Sequence, residues 1–140
     1  MARISRYVYL VAAWLFVVGV VVQVFLVGMV VVARMLGWDY HISLGHGLAA
    51  PLLVMLVAQY PGRLSRQMKS LTWLLFGVYF LQADVVIFLR FQAPVVAAVH
   101  PVLALVDFAL GWTLAQRAWS LVRQVQMPVS PQTNLEASTH

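Results

Sequence analysis

The sequence has no cysteine, only four acidic residues in 140 positions, and a charged fraction of 9%. Without cysteine there is no disulfide, no thiol redox centre and no thiolate metal site. Soluble domains carry roughly 25% charged residues, so the solvated surface of a water-soluble fold is missing. The net charge is +5, but no basic patch alternates with aromatics, which excludes nucleic acid as partner. No repeat relates the two halves of the chain, so the inverted-repeat architecture of carriers is absent as well.

What is present is apolar. Hydrophobic residues make up 63% of the chain, more than a single small domain can hide from water. The solvent is therefore expected to be lipid, with one domain lying in a bilayer. Tyr7 to Ala33 is an apolar run of 27 residues interrupted only by Gln23. That exceeds the roughly 7–15 residues of a signal-peptide core, and no small-residue cleavage site follows it. A second span is expected over 40–60, with Asp39 before it, Pro51 kinking it and Pro61-Gly62 ending it. Two more are expected over 70–89 and 95–122, and residues 127–140 read as a disordered tail.

Basic residues then set the orientation. Arg3, Arg6, Arg63, Arg66, Lys69, Arg117 and Arg123 fall on one side of these spans, Arg34 and Arg90 on the other. The positive-inside rule puts both termini in the cytoplasm. Short connections make consecutive helices antiparallel. The predicted fold is all-α: an up-down four-helix bundle spanning the bacterial inner membrane several times.

Orientation also gathers the polar residues in the outer half. His41 and His46 lie in the outer part of the second span, and His100 near the outer start of the fourth. Asp107 follows His100 by seven residues, on the same helical face. Asp84 and Gln82 lie below the outer end of the third span, and Gln23 near the middle of the first. Residues of this kind within a membrane usually face the bundle interior and a partner. The bland reading is that Asp84, Asp107, Gln23 and Gln82 only bind helix to helix. His140, in the tail, is expected to be solvated and without a role.

Two imidazoles from different helices suggest a metal. Neutral imidazole is a common axial ligand of haem iron. Gly45 lies one turn beyond His41 and Ala49 one turn further, small residues that leave room for a flat ring. They equally permit close helix packing with no ligand. His41 and His46 are five residues apart, about 140° around a helix, so they do not chelate one ion together. Depth alone leaves both as candidates to face His100. If the fourth helix starts at Pro101, His100 is level with His41; if it starts at Pro94, His100 is level with His46.

The element HISLG (His41 to Gly45) resembles the ligand helix of small four-helix b-type membrane cytochromes. About Arg6 to Val122 also resembles a family of short bacterial four-helix membrane proteins. In that family an H-x-x-L-G element stands on the second helix and a His-Pro element on the fourth, here His100-Pro101. The resemblance implies His41 and His100 as ligands of one haem b, with His46 as an alternative to His41. Arg34 and Arg90 are the outer cations able to meet propionates. A second haem would need a histidine pair near the opposite face, and there is none. The expected activity is one-electron transfer or haem handling. Other readings stay open: a cofactor-free subunit of a larger membrane complex or homo-oligomer, a pigment binder, or a small carrier using Asp84 and Asp107.

Overall fold

Ala2–Val31 forms one unbroken helix, α1, although it is rich in valine. In an apolar solvent a backbone has no water to bond with, so helix is the conformation that satisfies it whatever the propensity. The structure, a computed structural model, describes residues 1–86 and 88–124, without the side chains of residues 85, 86, 90 and 97. The expected tail with His140, and the Arg90 side chain, lie outside the described residues.

The second rod is two helices, α2 (Trp38–Gly47) and α3 (Ala49–Ala58), meeting at Leu48. Pro51 is the cause. It offers no N–H to the carbonyl of Gly47, and its ring crowds the preceding turn. Leu48 absorbs the disturbance at φ −68, ψ −14, its N–H shared between the carbonyls of Leu44 (3.1 Å) and Gly45 (3.3 Å).

The next turn is tightly specified. A Cβ on Gly62 would lie 2.8 Å from the Ala58 carbonyl oxygen, so that position excludes a side chain. Arg63 follows in the left-handed region at φ 52. Ser65 then caps α4 (Arg66–Phe80), its hydroxyl accepting from the Met68 N–H at 3.3 Å. This cap starts the helix four residues before the expected Ser70 and brings Arg66 and Lys69 into its first turn.

After Phe80 the third rod continues as a π-helical turn, Leu81–Val86. A 3-10 turn (Leu89–Phe91) and the one-turn helix α5 (Pro94–Ala97) lead to α6 (His100–Gln124). Both prolines act as starters, as their fixed φ and missing N–H favour. Pro94 opens α5, and Pro101 stands one residue inside α6.

The result is four helical rods, with no strand among the described residues. Among the described residues, three stretches are long and apolar enough to cross a membrane: Ala2–Val31, Trp38–Ala58 and Pro94–Gln124. The α1–α6 contact is the most extensive, with α3 against α1 and α4 against α6 completing the packing. Gly111 makes the first of these close, since a Cβ there would lie 3.1 Å from Phe16 and 3.3 Å from Val17 of α1, and Ala12, Ala13, Ala115 and Ala118 are buried. Tyr9, Phe16, Leu52, Met55, Leu75 and Leu114 are fully buried. Val11, Leu15, Val18, Phe25, Val57 and Leu105 are each more than half exposed. An apolar exterior around a packed core suits lipid, not water.

Candidate functional site

Two helix starts meet at one end of the bundle. His41 lies in the first turn of α2 and His100 is the first residue of α6. Their ring centroids are 6.2 Å apart with planes inclined at 73°. Trp38, one turn before His41, sets its ring edge-on to that imidazole at 5.8 Å. His100 is held by its Nδ1, 3.2 Å from the backbone carbonyl of Gln82. If that nitrogen carries the proton, Nε2 keeps its lone pair. His41 Nδ1 is buried and has no hydrogen-bond partner.

Below the pair lie the other polar groups. Gln23 of α1 donates from Nε2 to the His41 carbonyl at 2.9 Å. A Cβ on Gly45 would stand 2.8 Å from that same Nε2, so the clearance at Gly45 is taken up by Gln23. Tyr79 donates from its hydroxyl to the Gly45 carbonyl at 2.7 Å, pinning the third rod to the second. Gln82 Nε2 donates to Asp107 Oδ2 at 2.5 Å, and the Asp107 side chain is fully buried. Four polar atoms here are buried without partner: Gln23 Oε1, His41 Nδ1, Gln82 Oε1 and Asp107 Oδ1.

So His41, His100, Gln23, Gln82 and Asp107 come together, with Gly45 beside them and Ala49 half-buried one turn further. His46 and Asp84 do not join them. Both are exposed on the outside of the bundle. Arg34 is exposed in the turn after α1, at φ 56. No group of three or more histidine or carboxylate side chains among the described residues could hold a metal ion.

The structure also reveals a second polar set at the opposite end, where the sequence suggested none. Tyr9 and Thr72 share a hydrogen bond of 2.6 Å, and Thr72 donates on to the Met68 carbonyl at 2.9 Å. Gln59 is fully buried with neither side-chain amide atom partnered. A tyrosine inside an apolar run is easily taken for packing, which hid both Tyr9 and Tyr79. Between the two sets lie Phe16, Leu75 and Leu114, all fully buried. Asp84 is exposed and Asp107 fully buried.

Neither curated proteins nor solved structures give a match. Residues 23–86 match a family of unknown function (DUF6220), a segment that holds Gln23, His41, Tyr79 and Gln82 but neither His100 nor Asp107.

Proposed function

We propose that this protein is an inner-membrane four-helix bundle, both termini cytoplasmic, that holds one b-type haem between His41 and His100 near the outer face. The approach of those two rings carries the reading. To hold one iron between them, two imidazoles from different helices would have to approach closely. The distance here is 6.2 Å. The ligand set fits, since His100 is oriented through Nδ1 by a backbone carbonyl, as ligating histidines usually are. His41 brings a buried ring nitrogen with nothing bound to it.

Bound there, haem supplies a one-electron couple, which makes electron transfer or haem handling the function. His41 and His100 would hold the iron, so the chemistry the group would supply there is one-electron transfer. Trp38 shields the His41 ring, and Arg34 is the described cation on the side where propionates would emerge. The orientation rests on the seven basic residues at one end of the rods. Arg6 there donates to the Gly62 carbonyl at 2.9 Å, tying the start of α1 to the turn before α4.

The test is the reduced-minus-oxidised spectrum of protein purified from haem-sufficient cells. Low-spin b-type bands are expected, lost in His41→Ala and His100→Ala and kept in His46→Ala. Colourless protein that takes up no added haem would overturn the proposal. The second reading is then a cofactor-free subunit of a larger membrane complex. Gln23 favours it, because it already fills the space that Gly45 would leave for a macrocycle. Single-cysteine labelling at positions 36 and 66 checks orientation, with only position 36 expected to react from outside.

A further inference from the structure

His46 and Asp84 are the two residues of the expected polar site that the structure leaves out of it, and both stand exposed on the outside of the bundle. An aspartate at the centre of a membrane helix costs about 2.5–3.5 kcal/mol on insertion scales, and such residues normally face a partner. Neither His46 nor Asp84 has a hydrogen bond or ion pair among the described residues. A surface that carries such groups is expected to meet something other than lipid.

The register of the rods brings the two to one level. The Tyr79 hydroxyl donates to the Gly45 carbonyl at 2.7 Å and lies 3.4 Å from the His46 carbonyl, so this part of α2 is level with the Tyr79 hydroxyl. Asp84 is five residues further toward the histidine end. Side chains on a helix lean toward its N-terminus. The N-terminus of α2 is at the histidine end and that of the third rod at the opposite end. His46 therefore leans toward the histidine end and Asp84 away from it, which narrows the difference in depth.

The same two rods carry small exposed residues. A Cβ on Gly47 would meet nothing within 4 Å, and the same is true of Gly77 on the third rod. Ser43 is exposed four residues before Gly47. Small residues at such spacing let membrane helices approach each other closely. Leu81, also exposed, supplies apolar contact beside Asp84.

We infer that this face pairs two copies of the chain about a two-fold axis along the membrane normal. His46 of one copy meets Asp84 of the partner subunit, and the reverse pair forms across the axis. A two-fold contact is self-complementary, and rotation about the normal preserves depth. A second copy is the occupant because the face carries its own complement, one imidazole and one carboxyl at a common level, each without a partner inside the chain. The inference stands whether or not haem binds.

The absence of native cysteine makes the test direct. His46→Cys and Asp84→Cys chains, with tags of different size, are co-expressed and oxidised mildly in the membrane. A disulfide-linked dimer joining the two tags is expected, while each variant alone gives far less. Equal cross-linking of either variant alone would overturn the inference, as would no dimer in the mixture or adducts only to other proteins. A chain carrying both cysteines that closes only an internal disulfide would overturn it too. As an independent measure, Asp84→Leu should lower the dimer fraction in detergent roughly three- to tenfold at fixed concentration, with helix content unchanged. An unchanged dimer fraction in that variant counts against the pairing.

Discussion

The two ends of this bundle treat buried polar groups differently. At the end away from the histidines, Tyr9, Thr72 and the Met68 carbonyl form a closed chain of hydrogen bonds. At the histidine end, Gln23, His41, Gln82 and Asp107 each keep one buried atom unpartnered. Buried polar groups without partners are costly and are rare in folded proteins. A closed set needs nothing from outside and acts as helix-to-helix adhesive. An open set holds capacity for a further group. Gln59 is the exception at the closed end, buried with both amide atoms free, a polar spot of the kind that internal water fills.

The sharpest way to break this contrast is at the open end. If the proposed haem is bound, His100→Ala should remove its low-spin spectrum completely while leaving helix content by circular dichroism intact. If haem binding survives it, the open valences there belong to something else.

Next in size is a change in the backbone near the closed end. Gly62→Ala forces a Cβ against the Ala58 carbonyl oxygen, which a backbone cannot easily yield. A loss of about 1–3 kcal/mol in unfolding from mixed micelles is expected, the range for local backbone strain.

Hydrogen-bond removal compares the two ends directly. Thr72→Val strands the Tyr9 hydroxyl and should cost about 0.6–1.7 kcal/mol, with the double variant Tyr9→Phe/Thr72→Val costing less than the sum of the two single changes. Asp107→Asn keeps an acceptor for Gln82 and should cost less, about 0.5 kcal/mol or below. Equal losses in the two cases would remove the distinction between closed and open sets.

The smallest effect is expected at Gly45. A Cβ there meets only the end of the Gln23 side chain, which can swing aside. Gly45→Ala should change stability by less than about 0.5 kcal/mol, compatible with an ordinary surface-type change. A large loss would mean that the Gln23 bond to the His41 carbonyl holds α1 against α2.

Much of this was legible in the residues. Pro51 announces the break at Leu48, because a missing N–H acts within one turn. Pro94 and Pro101 were alternative starts for the fourth helix, and the structure has Pro94 opening α5 and Pro101 as the second residue of α6. The outward position of Asp84 was also within reach. Gln82 and Asp84 are two residues apart, nearly opposite on any helix, so both cannot face the core. Counting depth along the span without angle placed them together. The early start of α4 follows from Ser65, a cap that the charged residues after it obscured.

By itself the sequence determined the apolar setting, the helical class, the four rods and the uneven distribution of cations, because these follow from composition and from the order of residues along the chain. Only the tertiary structure decided that His41 and not His46 lies beside His100, that Gln23 fills the space at Gly45, and that Tyr9 finds Thr72. Each depends on how far a helix is rotated about its axis. That angle is set jointly by neighbouring rods through the small-residue contact of α1 with α6, the break at Leu48 and the π turn. A one-residue shift turns a side chain by about 100°, and no local stretch of sequence fixes it.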